Sequence, residues 1–261
     1  PEDRLDFVGD VSEPAVLDAL LDAARSSVSD FCGFRFYFIS DRCQTAARLH
    51  EAGRRTGLTF LDEGALPAPA LHVGRNPDAA LAATRKKSLM RHERDFLRQG
   101  PLEVIHLHEG AAILPHLDGF FGQHIARRAT TEHPSIFLQP QHRAFYENLT
   151  QRAGGLGWLR FSRIDWHGQP IAFHYGFLYR GRYLYGVPTF DPNLARQWPG
   201  EVMMRQLLLA AIAEGAEVFD FGIGDEQYKY RYATDVDHFR TLGLYPPDVV
   251  PAGVADGPGD R

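Results

Sequence analysis

The run LGWLRFSRIDWHGQPIAFHYGFLYRGRYLYGV, residues 156–187, decides the fold. Leu156 to Trp166, Pro170 to Tyr179 and Arg182 to Val187 are rich in aromatic and β-branched residues, which suit a pleated, half-buried surface. His167-Gly168 and Arg180-Gly181 separate them. An x-Gly pair between two such runs is the composition of a tight hairpin turn, so the stretch reads as an antiparallel three-stranded meander. Downstream, Pro199 to about Glu214 has helical spacing and stops at Gly215, Val218 to Phe221 is a strand, and His238 to Leu244 is the last one.

Upstream, Leu102 to Leu107 reads as a strand, followed by helical segments over about 110–131 and 140–153. The first third alternates in type. Residues 14–28 place Val16, Leu17, Leu20, Leu21 and Ala24 on one helical face, Phe34 to Ile39 is a strand, and residues 44–55 are helical. Leu58 to Leu61 and Ala70 to Val73 are short strands joined by an extended Pro67-Ala68-Pro69 connector. Asn76-Pro77 supplies an N-cap and an N1 proline for a helix running to Gln99, stopped by Gly100-Pro101. Lys87, Arg91, Arg94 and Arg98 are four, three and four apart and share one stripe of that helix. The stripe is either a solvated face offset by Glu93 and Asp95 or a contact surface for phosphates.

Apolar residues make up 44% and charged residues 23%, the balance of a folded globular domain rather than a disordered chain. With 28 basic against 33 acidic residues the net charge is −5, so any anion site must be local. Leu207 to Ala213 is the longest strongly apolar run, far short of the ~20 residues that span a bilayer. Cys32 and Cys43 form no CxxC pair, and two thiols point to a reducing, cytoplasmic setting. The acidic start without an initiator Met reads as an internal cut in a longer protein. Pro246-Pro247 and the Gly/Asp/Pro-rich residues to Arg261 form a flexible tail, 246–261.

The words Gly186-Val187-Pro188-Thr189-Phe190-Asp191-Pro192, Trp198-Pro199-Gly200 and Phe219 to Tyr232 sit on this order of elements. Together they resemble the GNAT acyltransferases grouped with the cellulose biosynthesis protein CelD, relatives of the FemABX peptidyltransferases. The resemblance implies an α/β (α+β) GNAT acyltransferase fold in tandem: a partial first lobe over 1–95, ending in the basic helix, and a complete lobe over 96–245. It implies an N-acyltransferase that takes its acyl group from acetyl-CoA or another acyl-CoA. The acceptor is a small-molecule or glycan amine, such as a sugar or polysaccharide precursor. A FemABX-like, aminoacyl-tRNA-dependent transferase is the alternative, with tRNA held through Lys87, Arg91, Arg94 and Arg98. A non-catalytic module in a biosynthetic assembly is the third reading.

In such a fold the thioester lies where Arg182 to Val187 and Val218 to Phe221 splay, and the following helix offers free N–H groups to a pyrophosphate. The family's phosphate loop, [Gln/Arg]-x-x-Gly-x-[Gly/Ala], is matched by Gln197-Trp198-Pro199-Gly200-Glu201-Val202 except at Val202, and Glu201 brings a carboxylate to that end. Candidate donor contacts are therefore Gln197, Pro199, Gly200, Glu201 and Val187. Amide formation needs a base, an acid and a charge stabiliser. Asp220 or Glu226 can be the base, Tyr228 the acid, and Lys229 or Arg231 the stabiliser; Lys229 matches a stabilising lysine of the FemABX relatives. A salt-bridge network of Asp220, Lys229 and Arg231 fixing the turn is the structural reading of the same residues. His174 is either an alternative base or a packed core residue among Phe173, Tyr175 and Phe177. His106, His108 and His116 lack a carboxylate or thiol partner at supporting spacing, so no metal is expected.

Overall fold

A computed structural model describes residues 6–129 and 131–249. The chain runs α1 (Pro14–Ser26), β1 (Phe34–Ser40), α2 (Thr45–Thr56), β2 (Thr59–His72), α3 (Pro77–Thr84), α4 (Lys87–Gln99), β3 (Leu102–Leu107), α5 (Gly110–Ile113), α6 (Leu117–Arg128) and α7 (Pro140–Ala153). It continues β4 (Leu159–Trp166), β5 (Gln169–Tyr179), β6 (Arg182–Phe190), α8 (Pro199–Ala213), β7 (Val218–Asp220), α9 (Gln227–Tyr230) and β8 (Asp235–Tyr245). The architecture is mixed α/β, as the order of elements implies.

Two compact units divide it. In its described part the first holds residues 6–69, 223–226 and 236–249. Its strands lie in the order β1-β8-β2, with β1 antiparallel to β8 from Phe34↔Leu244 to Ser40↔Phe239. Leu17 and Leu21 of α1, Leu49 and Ala52 of α2, and Leu242 and Leu244 of β8 build its core.

The second unit holds residues 70–222 and 227–235, with strand order β2-β7-β6-β5-β4-β3. Ala70–His72, the last residues of β2, pair antiparallel with β7. The meander β4-β5-β6 forms as its turn residues require: His167 (φ 51°) with Gly168 (φ 72°), and Arg180 (φ 47°) with Gly181 (φ 74°), both have the paired positive φ of a hairpin turn whose twist matches the strands. β6 and β7 are parallel, and α8 supplies the crossover such a pair needs. One face of the sheet packs under α8 through Val202, Leu207, Leu208 and Ala211, joined by Leu89 and Phe96 of α4. The other packs Phe161, Phe173 and Tyr175 against Phe120 and Phe121 of α6, with Phe137.

Several boundaries differ from expectation. The single helix over 77–99 is broken at Arg85–Lys86; Asn76 does cap α3 through Ala79 N–H, but Arg205 Nε donates to the Thr84 carbonyl at its end. α4 then sets off anew along α8, burying Leu89, His92 and Phe96. Residues 70–95, expected in the first lobe, pack with the second unit, whereas 236–245 pack with the first. The two short strands at 58–61 and 70–73 are one strand, β2, because proline holds its predecessor extended and so continues the strand. The helix over 110–131 is interrupted by a 3-10 turn, Leu114–His116, around Pro115. β6 extends past Val187 to Phe190, and α9 has no counterpart in the sequence reading. Residues 250–261 of the expected tail lie outside the described residues. Among the described residues, no helix is long and apolar enough to cross a membrane.

Candidate active site

The parallel pairing of β6 with β7 covers only Arg182↔Val218, Tyr183↔Phe219 and Leu184↔Asp220. Beyond it β6 bulges: Tyr175 faces Val187 and Phe177 faces Leu184, so Tyr185 and Gly186 together oppose Gly176. The close approach needs both glycines, since a Cβ on Gly186 would stand 2.5 Å from the Tyr175 carbonyl oxygen and one on Gly176 2.4 Å from that of Leu184. A bulge leaves backbone polar groups out of the ladder, here beside the point where the strands part.

On the β7 side the chain is pinned. Asp220 is fully buried; its Oδ1 accepts from Gly222 N–H at 3.0 Å and its Oδ2 from Arg182 at 3.1 Å. Lys229, 3% exposed, donates from Nζ to the Gly222 carbonyl at 3.2 Å. These two residues hold the turn at Gly222 (φ 76°). Glu226 is exposed and belongs to the segment 223–226 of the first unit.

A cavity of about 500 Å³ opens in the second unit. Its walls are the outer half of β6 (Tyr185, Pro188, Thr189, Phe190), the start of α8 (Trp198, Gly200, Glu201, Met203, Met204) and the segment carrying Tyr228, Arg231 and Tyr232, with Arg127 of α6. Tyr228, Arg231, Gly200 and Glu201 were expected here. Arg127, Thr189, Tyr185 and Tyr232 were not singled out as site residues. Pro199 is buried beneath the helix start, Val187 packs on the aromatic core, and Gln197 lines a neighbouring cleft. Val202, where the phosphate-loop pattern has a small residue, is fully buried in the core under α8.

The carboxylate at the helix start is neutralised. Glu201 Oε1 accepts from Arg231 at 2.7 Å, and its Oε2 lies 3.0 Å from His92 Nδ1. Burial pushes its pKa up, but the hydrogen bond and charge of Arg231 outweigh that and hold it below the ordinary value. Arg231 also donates to Ser88 at 2.8 Å, and its pKa is raised chiefly by the bond to Glu201. Arg127 donates to the Pro188 carbonyl at 2.9 Å and lies 4.2 Å from the Phe190 ring centre; burial lowers its pKa. Burial raises the phenol of Tyr185, and pushes that of Tyr232 up to about 12.

His174 is off the cavity wall. It is fully buried, stacks on Tyr185 at 5.3 Å and Tyr183 at 6.3 Å, and neither ring nitrogen has a hydrogen-bond partner. Burial pushes its pKa down to about 3, a basicity too low to take a proton from an ammonium group. His106 bonds to Ser162 at 2.8 Å, and among the described residues no three His, Cys, Asp or Glu cluster around a metal-sized space.

Trp198 lines both the cavity and a second cleft of about 510 Å³. The cleft is cationic in balance: Arg91 and Arg98 of α4 and Arg196 line it beside Trp198, which stacks on His92 at 5.7 Å, and Asp95 on the same lining pairs with Arg98 at 3.5 Å. Lys87 and Arg94 are exposed on the same helix but do not line it. Trp198 is the residue before α8 and takes a left-handed φ of 62°, which is uncommon for a bulky side chain.

Residues 83–230 match the family model described as acetyltransferase (GNAT) domain, more than half of the chain. No curated protein sequence matches. Among solved structures, the C-terminal DUF2156 domain of an Agrobacterium fabrum protein is similar at 16% identity and TM-score 0.62, over 95% of this chain and 77% of that one. FemX is similar at 12% identity and TM-score 0.60, over 92% and 79%. L-PGS from Bacillus licheniformis is similar at 13% identity and TM-score 0.61, over 90% and 74%. At these identities the likeness is one of fold.

Proposed function

The chain belongs to the acetyltransferase (GNAT) domain family, and from that premise we propose that this acyltransferase moves an acyl group from acyl-CoA, acetyl-CoA in the simplest case, to an amine acceptor in the cavity beside β6. The observation that carries the proposal is the parting of β6 from β7 at Leu184 and Asp220, with the bulge at Tyr185–Gly186 and the start of α8 opening onto one cavity. An extended thioester arm can pair with the freed edge of β6 there. Its pyrophosphate then meets the Gly200 N–H at the start of α8, where the dipole is positive and the Glu201 charge is offset by Arg231.

In this reading the acceptor attacks as a free amine, the tetrahedral oxyanion forms beside the unpaired backbone of the bulge, Tyr228 gives its proton to the departing thiolate, and the proton shed by the nitrogen returns to the Tyr228 oxygen through water. Of the expected bases, Asp220 and His174 are buried, whereas Glu226 is exposed. Asp220 and Lys229 hold the turn that carries Tyr228. The test is calorimetric titration with acetyl-CoA and a long-chain acyl-CoA, with Gly200→Glu as the blocked control, since its Cβ would already stand 3.2 Å from the Phe190 ring. Micromolar binding lost in the control supports the proposal. No binding by either thioester overturns it.

A second reading has its own observation. Lys87, Arg91, Arg94 and Arg98 are all exposed along α4, and two of them line the cationic cleft beside Trp198. That arrangement fits the phosphates of a tRNA-borne donor, and its signature is a steep loss of binding with salt.

A further inference from the structure

Trp198 is the residue that the cavity and the cationic cleft share, and the cleft has no part in the acyl transfer described above. Arg91 and Arg98 of α4 and Arg196, from the turn before α8, line it, with Asp95 as the carboxylate on the same lining. Asp95 is taken up by Arg98. Elsewhere Arg55, Arg163 and Arg205 each meet a carboxylate, on Asp18, Asp165 and Glu93, whereas among the described residues neither Arg91 nor Arg196 does. In a protein of net charge −5, two unmatched guanidiniums on one concave wall make a local anion site.

The cleft is tied to the start of α8 by a chain of hydrogen bonds. Arg91 donates to His92 Nε2 at 3.0 Å; a guanidinium cannot accept, so the imidazole proton is on Nδ1, which donates to Glu201 Oε2 at 3.0 Å. Arg231 closes the chain on Glu201 Oε1. His92 also braces the indole of Trp198 in a near-parallel stack, 10° between planes, and Trp198 is still 54% exposed. A held aromatic surface of that kind is one on which a nucleobase can stack.

We propose that the cleft receives the 3′-phosphate and the base of CoA, the phosphate on Arg91, Arg98 and Arg196 and the base on Trp198, so that the donor class is a complete CoA thioester rather than a carrier-borne phosphopantetheine thioester. This rests on the acyl-CoA reading above and adds the far end of the donor to it. Trp198 and Gly200 are two residues apart, about 7 Å of chain at most. The diphosphate and the 3′-phosphate of CoA hang from one ribose. With the thioester arm running into the cavity and the diphosphate at the Gly200 N–H, the ribose leaves past Trp198, the residue common to both linings, and brings its second phosphate to the arginines. A phosphomonoester has close to two charges at neutral pH and three acceptor oxygens, which suit several guanidiniums at once. A tRNA phosphate shares part of that chemistry, and the test separates the two.

Calorimetric titrations compare acetyl-CoA with acetyl-3′-dephospho-CoA, on the native protein and on the double variant Arg98→Gln/Arg196→Gln, which leaves the His92–Glu201 chain in place. The expected result is acetyl-CoA binding on the order of tenfold tighter than its dephospho form, a ratio that falls toward unity in the double variant while the dephospho form binds as before. The native ratio is read independently of whether the variant folds, and retained binding of the dephospho form shows that it does. Equal binding of the two thioesters by the native protein overturns the inference and leaves the acyltransferase reading intact. A preference unchanged in the double variant overturns it as well, because the 3′-phosphate then sits elsewhere. If the two thioesters bind alike and unacylated tRNA binds with a steep salt dependence that the double variant weakens, the cleft belongs to nucleic acid and the inference falls. Absence of binding by either thioester removes the reading and the inference together.

Discussion

Glu201 occupies the first turn of the helix proposed to receive an anion, and its place there depends on Arg231. With the pair intact the carboxylate complements the dipole without repelling the ligand; Arg231→Ala strips that cover and leaves a half-buried negative charge. Acyl-CoA affinity should then fall by about tenfold, read by titration against Arg231→Lys, which keeps the charge. Tyr228→Phe should lower kcat by about a hundredfold with little change in KM, because a proton donor acts in the transition state. His174 makes a different prediction. Its ordinary value is 6.5 and its folded value about 3, so between those pH values the unfolded chain holds a proton that the native one lacks. Stability therefore falls as pH drops from about 6.5 toward 3, by up to ~1.4 kcal/mol per pH unit from this group. His174→Leu should flatten the decline in urea midpoint between pH 7 and pH 5, while His124, pushed down to about 4, keeps part of it. Tyr228, Arg231, Gly200 and Glu201 were legible because each stands in a dense local word. Arg127 was not: it is 61 residues from Pro188, and beside Arg128 it reads as an ordinary solvated helix end.

Helices and strands were legible where local chemistry alone decides them. The meander follows from two x-Gly turns, and α7 and α8 from a proline at their starts. Where a distant group intervenes, the pattern misleads. Thr84 loses helical continuity to Arg205, a residue of α8, and nothing between 77 and 99 announces that. The same contact zone carries a prediction. Glu93 of α4 accepts from both Arg205 and Gln206 of α8, so Glu93→Ala strands two donors and should cost about 2 kcal/mol, seen as a lower urea midpoint with an unchanged slope. If the midpoint holds, the Glu93 hydrogen bonds add nothing net to the packing of α4 on α8.

At the scale of the molecule, the return of β8 to pair with β1 escapes any local reading, because the two strands lie at opposite ends of the chain and neither names its partner. Net charge acts at this scale too. At −5 the protein as a whole repels nucleic acid, so any tRNA binding needs a local basic surface such as the α4 stripe. Each phosphate contact adds about 0.7 to 0.9 to the slope of log affinity against log salt, and alanine at Arg91 and Arg98 together should remove about 1.4 to 1.8 from it. A shallow slope unaffected by those changes excludes the stripe as a nucleic-acid contact. Trp198, wedged in a left-handed turn between the apolar cavity and the cationic cleft, gives the protein an indicator of its own. Whatever enters either space must change the surroundings of that half-exposed indole, so its fluorescence is a label-free gauge of occupancy. Of the three tryptophans, Trp158 and Trp166 line neither space and supply the steady background against which it is read.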